Sequence, residues 1–474
     1  MVNTGGLPDK ARDMRRKTGW RRLYAACISL LIVILCLTAG LPPAGARRTE
    51  AAGEQRQDVR DARDEDPALE VDFPFETGKQ PAYFSWADEG RKPKVRSQEG
   101  LYTCWALCAV SAVEAQLLPE RTAFFSADHM TRKNGYAISQ SDGGDYYMIM
   151  SYLADWKGPV PEEEDPYGDG ESPDGLSAAV HVQQMQLLGG MDRSQIKQMI
   201  LDNGPLQSSL CMDTARVQSE DYHYYNADTC SYHNPMAETV NHDILVLGWD
   251  DGFSREQFRI KPRNDGAWIC QNTWGEEFGL NGLFYVSYED ANLFRKGGIA
   301  YSKVEDSTNY DFVRENDSLG WLGRQGYGES RCLYAGVFRT EEAESLAAAG
   351  LYVTGAGTSY RISLVPEFIG SGSLSGPSEL LAFGKIATAG YYTVEFPRPY
   401  RLAAGQEYAI IVEMDTPGAS KPAVVEMEKD AYTTTVTLEG RETYISKNGS
   451  VWENTQKTYG TNVCLKAYTR SAEE

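Results

Sequence analysis

The segment that begins at Cys104-Trp105 constrains the fold of this chain more than any other stretch. Apolar side chains follow it at helical spacing and stop before Pro119; they are Leu107, Val110, Val113 and Leu117. The pattern predicts a helix with Cys104 in its first turn and Thr103 as its N-cap. Unpaired backbone N–H groups of a first turn carry partial positive charge, which favours a thiolate over a thiol. Cys104 therefore stands where a cysteine nucleophile is expected.

Two downstream segments have the apolar pattern of buried strands, and each carries a polar residue that such a nucleophile needs. His242 opens the strand predicted within 240–249, and Asn272 directly follows the strand predicted at 267–271. A thiol nucleophile requires a base that takes its proton and a group that orients the base. His242 and Asn272 have the chemistry for these two roles.

The motifs Gln98-x5-Cys104-Trp105, Asn241-His242 and Asn272-Thr-Trp-Gly resemble the papain-like cysteine peptidases in order and flanking residues. The spacing from Cys104 to Asn272 exceeds the roughly 130 to 150 residues typical of those enzymes. The excess lies in the charged stretch 250–265, which indicates an enlarged hairpin. The resemblance spans roughly residues 81–300. It implies an α+β, two-lobe fold in which a helical lobe and a β-barrel-like lobe enclose the substrate cleft.

The resemblance implies a role for each residue of these motifs. Cys104 would be the nucleophile, His242 the general base and acid, and Asn272 the group that orients the imidazole. Gln98 and the backbone N–H of Cys104 would form the oxyanion hole. Trp274 would shield the hydrogen bond between Asn272 and His242 from water.

The resemblance also implies residues that contact the substrate. Gly143-Gly144 would line the cleft and let an extended peptide pair with the backbone, and Asn241 would lie beside it. Asp243 stands where the family usually has a small residue near a specificity pocket. Because an unpaired buried carboxylate is costly, we expect Asp243 to favour a basic or polar substrate side chain. Two other departures are Leu101, where the family has a disulfide-bonded cysteine, and Phe278, where a tryptophan is common.

Other reactive side chains fit no functional motif. Cys108 is expected to pack as a small hydrophobe, and the remaining histidines are expected at the surface or in hydrogen bonds: His129, His181, His223 and His233. Their spacing suggests no zinc site. The acidic stretch 161–174 could hold calcium but lacks the alternation of an EF-hand loop, so a solvated loop is the favoured interpretation. No metal and no cofactor are expected.

The N-terminal residues indicate export. Basic side chains precede an uncharged stretch at 23–41, and Ala44-Gly-Ala46 offers a cleavage site, so residues 1–46 are predicted to be a signal peptide. The alternative is an uncleaved membrane anchor. Residues 47–80 are charged and poor in apolar side chains, which predicts a flexible linker or short propeptide. The protein is therefore expected to be secreted or located at the cell surface.

The net charge of −21 argues against nucleic acid as a partner, because phosphates would be repelled. Residues 301–474 contain short β-rich runs separated by Gly, Ser, Pro or Asp, which predict an antiparallel β-sandwich. This region resembles the lectin-like domain that follows the peptidase in some exported bacterial proteins. Cell-surface glycan is a possible partner only by that analogy, and a structural scaffold is the alternative. Two disulfides are considered, Cys332 with Cys464 and Cys211 with Cys230.

The leading interpretation is an exported bacterial cysteine endopeptidase, with a protein or peptide substrate, that works through a thioester acyl-enzyme at residues 81–300. Two alternatives stay open. One is a transpeptidase that passes the acyl group to an amine, and the other is a catalytically silent adhesion or glycan-binding protein. The presence of Gln98, Cys104, His242 and Asn272 together argues against a silent fold, since a decayed site would be expected to have lost at least one.

Overall fold

The computed structural model describes residues 66–212 and 222–472. Its helices are α1 Cys104–Leu117, α2 Ala127–Arg132, α3 Tyr146–Ala154, α4 Arg193–Asn203 and α5 Thr455–Tyr459, and 3₁₀ turns span Pro67–Leu69, Arg255–Gln257 and Ser371–Ser375. No helix in these two ranges is long and apolar enough to cross a membrane. The predicted signal peptide, 1–46, and the first part of the predicted linker, 47–65, lie outside the described residues.

Helix α1 confirms the helix predicted at Cys104. It ends at Leu117, just before Pro119, and its residues from Cys104 to Ala115 are all buried. Thr103 is the N-cap residue, but its side chain makes no capping hydrogen bond. Instead, its hydroxyl lies 2.5 Å from the Tyr167 hydroxyl. Thr103 thus occupies the predicted N-cap position. Its hydroxyl does not cap the helix, because it is hydrogen-bonded to a tyrosine distant in sequence.

The strands of the first half are β1 Tyr83–Ser85, β2 Val180–Leu187, β3 Leu206–Leu210, β4 Tyr225–Asn226, β5 Ser231–Tyr232, β6 His242–Asp250, β7 Ala267–Gln271, β8 Leu283–Ser287 and β9 Gly298–Asp306. Strand β6 lies between β3 and β7 and is antiparallel to both. It opens with His242, whereas β7 ends one residue before Asn272. Because the two strands run in opposite directions, the start of β6 lies beside the end of β7, and His242 and Asn272 meet there.

The strands of the second half are β10 Phe312–Glu315, β11 Gly323–Gln325, β12 Arg331–Arg339, β13 Glu344–Val353, β14 Thr358–Val365, β15 Glu379–Ile386, β16 Gly390–Leu402, β17 Glu407–Asp415, β18 Ala423–Glu426, β19 Thr443–Ser446, β20 Glu453–Asn454, β21 Asn462–Val463 and β22 Leu465–Ser471. Strands β10, β22, β13 and β16 pair in that order, and β15, β14, β17, β12, β19 and β20 form a second antiparallel sheet. Apolar side chains of both sheets share one core. The predicted antiparallel sandwich is confirmed.

The first of these sheets continues into the first half of the chain. Strand β16 pairs with β2, with Gly390 opposite Gln186, and β2 pairs in turn with β9. No sequence pattern indicated this connection. It joins the two halves through backbone hydrogen bonds in addition to side-chain packing.

Residues 66–80 are not the flexible linker that their composition predicted. Phe73 and Val71 pack against the sandwich core, and their backbone N–H groups donate to Lys385 and Phe383 at 2.8 Å. The segment thereby extends the edge of strand β15. Two apolar side chains at alternate positions suffice to fix it, because the sandwich supplies both an open strand edge and an apolar surface.

Neither considered disulfide forms. Cys332 packs in the core between the two sheets, whereas Cys464 lies in a different core and its thiol contacts the Gly320 carbonyl at 3.1 Å. Cys230 is a free thiol, and the Cys211 thiol contacts Glu238 at 3.0 Å. The described cysteines therefore form no disulfide with one another.

Candidate active site

A cleft of about 1130 Å³ contains most of the residues singled out from the sequence. It is lined by Gln98, Cys104, Gly143, Gly144, Asn241, His242 and Asp243. Helix α1 brings Cys104 to the cleft and strand β6 brings His242 and Asp243. Asn272 and Trp274 are not part of the cleft lining, but both contact the His242 ring.

Asn272 fixes the orientation and the tautomer of His242. Its Oδ1 lies 2.7 Å from Nε2 of His242 and also accepts the backbone N–H of Thr273 at 2.7 Å. An amide oxygen can only accept hydrogen bonds. Nε2 of His242 must therefore be the donor and carries the proton. Nδ1 is then left with a lone pair. His242 is only 2% exposed, which protects this arrangement from water.

Trp274 covers the same ring from one face. The two rings are stacked with centroids 4.7 Å apart and an angle of 26°. The Trp274 indole N–H donates to Oε1 of Gln98 at 3.2 Å. Trp274 thus links the imidazole to the glutamine predicted for the oxyanion hole.

Gln98 is held firmly but keeps one donor. Its Oε1 also accepts the Thr273 hydroxyl at 2.7 Å, and its Nε2 donates to the Leu101 carbonyl at 2.7 Å. A side-chain amide has two N–H donors. One is used by Leu101, so the second is available to a group in the cleft.

The sulfur of Cys104 accepts the backbone N–H of Asp243 at 3.5 Å, and Cys104 is 9% exposed. Burial, followed by the charge of Asp243, raises the pKa of the Cys104 thiol to about 12. Burial also lowers the pKa of His242 to about 4. Both shifts favour the neutral forms of these two side chains, which line the same cleft. The expected resting thiolate is therefore disfavoured, because desolvation outweighs the N–H groups of the first turn.

The glycine pair forms a wall where side chains do not fit. Gly143 has φ +82°, a left-handed conformation that favours glycine. A Cβ on Gly144 would lie 2.3 Å from the Trp105 ring. Asn241 lies beside this region in the cleft, and its side-chain oxygen accepts the Met212 N–H at 2.9 Å.

Family models match two parts of the chain. "Papain family cysteine protease" matches residues 80–304, and "Lectin like domain" matches residues 313–469. The chain carries a papain-family cysteine protease domain. A lectin-like domain follows it, so both predicted resemblances are confirmed.

Curated relatives share the protease domain at low identity. Cysteine proteinase 1 of Zea mays is 27% identical over 233 residues, 46% of this chain, and the probable cysteine protease RD19B of Arabidopsis thaliana is 26% identical over 225 residues, 44% of this chain. The chain spans 59% of the length of each of these relatives.

Solved structures match across both domains. One is the clostridial cysteine protease Cwp84 after propeptide cleavage, with a TM-score of 0.72, 23% identity, and coverage of 82% of this chain and 99% of that chain. Another comprises the cysteine protease and lectin-like domains of Cwp84, a surface layer associated protein of Clostridium difficile, with a TM-score of 0.71, 23% identity, and coverage of 86% and 95%. These matches confirm the predicted fold class, a papain-like fold followed by an antiparallel β domain.

In this papain-family domain, Asp243 is not the unpaired carboxylate that the sequence suggested. Its oxygens accept Nε2 of Gln207 at 2.6 Å and the hydroxyl of Ser209 at 2.5 Å. Burial nevertheless raises its pKa to about 6. Sequence reasoning missed Gln207 and Ser209, because only the pairing of β3 with β6 brings them to Asp243.

The lectin-like domain contributes a wall of the same cleft, which sequence reasoning also missed. Trp321, Arg324 and the residues around Gly355 and Thr388 line it. The Arg324 guanidinium lies over the Trp321 ring, 4.8 Å from its centroid. The β-rich runs predicted the domain but did not indicate that it reaches the cleft.

The remaining side chains conform to their expected structural roles. Cys108 is buried in α1. His129 bonds to Tyr152, His181 to Asn309 and His233 to the Ile260 carbonyl, whereas His223 is exposed.

Proposed function

We propose that this chain is an exported cysteine endopeptidase in which Cys104, His242 and Asn272 act as nucleophile, general base and orienting group. The observation that carries the proposal is the His242 ring, held by Asn272 at 2.7 Å, in one cleft with Cys104 and Gln98. The papain-family match to residues 80–304 supports the same reaction class.

The substrate is a protein or peptide that lies extended in the cleft. The backbone at Gly143-Gly144 is bare of side chains, so a substrate strand can form main-chain hydrogen bonds with it. Asn241 and Asp243 border the position of a nearby substrate side chain. The Asp243 carboxylate already accepts two hydrogen bonds. It therefore acts on the substrate through its negative charge, which favours a basic substrate side chain.

Acylation begins from the neutral pair. The Cys104 sulfur attacks the scissile carbonyl carbon while its proton passes to Nδ1 of His242. The carbonyl oxygen gains negative charge and accepts the Cys104 N–H and the second N–H of Gln98, and each such donor is worth about 3 kcal/mol. The C–N bond then breaks, His242 protonates the leaving amine, and a thioester remains.

Deacylation reverses the proton path. His242 takes a proton from water, the resulting hydroxide attacks the thioester carbon, and the Cys104 sulfur leaves with the proton from His242. The product is a carboxylic acid.

The location and the glycan partner belong to the same proposal. Export rests on the predicted signal peptide, 1–46, and a related solved structure comes from a surface layer associated protein. The lectin-like match supports carbohydrate as a second partner of the chain. An uncleaved anchor would instead keep the chain at the membrane.

The test compares wild type with Cys104→Ala and Cys108→Ala, using a thiol-directed covalent inhibitor and a peptide library. We expect labelling and cleavage in wild type and Cys108→Ala, and neither in Cys104→Ala. If a labelled amine is incorporated at the cleaved carbonyl faster than water, the chain is a transpeptidase and the proposal is wrong. Glycan binding without labelling or cleavage would identify a silent adhesion protein and also overturn it.

A further inference from the structure

Three aspartates come together in a cluster formed by Asp128, Asp165 and Asp169. Asp128 lies in helix α2, and the other two lie in the loop 161–174. Oxygen atoms of their three carboxylates lie within 4.8 Å of one another. We propose that this aspartate cluster binds a calcium ion that fixes the loop 161–174.

The charge of the aspartate cluster matches a divalent cation. The basic side chain of Arg132 lies beside the aspartate cluster, with its Nε 3.8 Å from Oδ2 of Asp128. Three carboxylates and one guanidinium leave a formal charge of −2. Two of the carboxylates, Asp128 and Asp165, are fully buried. Buried like charges at this distance are unfavourable unless a cation compensates them.

One oxygen of the cluster lacks a partner altogether. Asp165 is 0% exposed, and its Oδ1 accepts no hydrogen bond, although its other oxygen accepts the Ser172 hydroxyl at 2.5 Å. The Ser126 hydroxyl lies near the Asp165 carboxylate but leaves Oδ1 without a hydrogen-bond partner. A buried carboxylate oxygen normally has a donor or a metal. A cation bound by this oxygen would remove the deficit.

The donor set selects calcium among common cations. All three ligands are oxygen atoms, and no cysteine or histidine belongs to the described cluster, which disfavours zinc. Asp128 is held in place by Gln140 at 2.6 Å and by the Gly168 N–H at 3.1 Å. Asp169 is exposed, so water can complete the coordination. Calcium accepts such an irregular shell of six to eight oxygens, whereas magnesium demands a near-ideal octahedron.

The loop carries a residue that touches the active site. The Tyr167 hydroxyl lies 2.5 Å from the Thr103 hydroxyl and donates to the Gln98 carbonyl at 3.2 Å. Calcium would therefore hold Tyr167 against the residue before Cys104 and against the proposed oxyanion-hole residue. This consequence for reactivity rests on the proposed function, whereas binding of the ion does not.

The sequence favoured a solvated loop at 161–174 because the loop alone has no recognisable ligand spacing. Asp128 completes the cluster from a helix distant in sequence. Only the folded chain brings it to Asp165.

The test uses the full chain after treatment with a chelator, titrated with CaCl₂ and followed by calorimetry and by thermal unfolding. Asp169→Asn removes an exposed ligand, and Asp174→Asn is its matched control, since Asp174 is exposed in the same loop but pairs with Lys133. We expect calcium to raise the Tm of wild type and Asp174→Asn. The calcium Kd of Asp169→Asn should rise at least tenfold, because affinity follows the number of charged ligands.

Three results would overturn the proposal. One is a wild-type Tm that is the same in calcium and in chelator. Another is an equal calcium Kd in wild type and Asp169→Asn. A magnesium titration that reproduces the calcium response at equal concentration would also reject calcium as the ion.

A second variant separates the ion from the proposed function. Tyr167→Phe should keep the wild-type calcium Kd while losing the calcium dependence of Cys104 alkylation. Calcium binding by a chain that cleaves no peptide would defeat the peptidase and leave the ion site intact. Cleavage of peptides by a chain that binds no calcium would reject the ion site and leave the proposed peptidase function intact.

Discussion

At the scale of single residues, burial acts in opposite directions on the pKa values of the two groups that are proposed to exchange a proton. It raises the pKa of Cys104 to about 12 and lowers that of His242 to about 4. Both shifts favour the neutral forms, so the proposed mechanism develops charge when substrate is attacked. The 2.7 Å hydrogen bond that Nε2 of His242 donates to Asn272 and the first-turn N–H groups would then stabilise the ion pair.

Replacing Asp243 by Asn should make Cys104 more reactive above pH 6. The Asp243 carboxylate raises the thiol pKa, and it is charged only above its own pKa of about 6. Removing that charge lowers the thiol pKa, and one pKa unit corresponds to about tenfold in thiolate population. We expect iodoacetamide to alkylate Cys104 about 3- to 10-fold faster at pH 8.

The control for this experiment is Asp142→Asn, which removes an exposed charge at the rim of the same cleft. It should leave the alkylation rate unchanged. Below about pH 5, wild type and Asp243→Asn should converge, because the Asp243 carboxyl of wild type is then protonated and as uncharged as the amide that replaces it. Identical pH profiles from pH 5 to 9 would contradict the prediction.

Replacing Asn272 by Ala should reduce kcat/KM about 10- to 100-fold. The hydrogen bond from Nε2 of His242 becomes charge-assisted once the ring is protonated, and such bonds contribute about 1.5 to 3 kcal/mol. The effect should appear in kcat/KM for a peptide substrate, with Tm measured as the check on folding. A variant that folds and retains at least half of the wild-type kcat/KM would show that Asn272 does not orient the base.

At the scale of elements, the sequence predicted what local patterns determine. Helix α1 and strand β7 appear where expected, because apolar spacing and Pro119 specify them without help from distant residues. The bonding of Thr103 and the partners of Asp243 could not be predicted, since both depend on segments far away in sequence. The flexible linker predicted to include residues 66–80 rested on composition alone. Composition contains no information about the open edge of strand β15, with which Phe73 pairs.

The loop before α3 offers a matched pair of glycine substitutions. Gly144→Ala places a methyl group 2.3 Å from the buried Trp105 ring, whereas a Cβ on Gly143 meets nothing within 4 Å. Gly143→Ala carries only the strain of its positive φ, about 1 to 2 kcal/mol. We expect Gly144→Ala to reduce kcat/KM at least tenfold more than Gly143→Ala, since Trp105 follows the nucleophile directly.

Steady-state kinetics and urea unfolding of both glycine variants check this prediction. Gly143→Ala should lower the free energy of unfolding by about 1 to 2 kcal/mol. Equal losses of activity in the two variants would mean that contact with Trp105 is not what requires glycine at 144.

At the scale of the whole molecule, a buried lysine ties the two domains together. Lys466 in strand β22 contacts Asp317 at 2.9 Å and Asp155, the C-cap residue of helix α3, at 2.5 Å. Both carboxylates are buried. The ion pairs and the β16–β2 pairing join the domains at separate places, so domain separation would expose both.

Lys466→Met should lower the free energy of unfolding by about 3 to 5 kcal/mol, because the buried Asp317 carboxylate would lose this cation and Asp155 would keep only Lys157, at 2.8 Å. Lys447→Met is the matched control, since its ion pair with Glu329 is exposed and should be worth at most about 1 kcal/mol. Urea unfolding at pH 7 measures both. A similar loss in the two variants would indicate that Lys466 contributes no more than a surface lysine.

The shared cleft predicts that the lectin-like domain influences substrate specificity. Arg324 is exposed in the cleft wall, and its guanidinium is stacked on Trp321. A cation at this place favours an acidic side chain on the bound substrate. Reversing it with Arg324→Glu should lower kcat/KM for peptides with such an acidic residue about 3- to 10-fold and raise it for basic ones, since charge pairs near a surface are worth about 1 kcal/mol. Library cleavage measures the shift, with Lys447→Glu as a charge reversal on the same domain away from the cleft. If both variants keep the wild-type preference for acidic or basic substrate residues, the lectin-like domain lines the cleft but does not contribute to substrate selection.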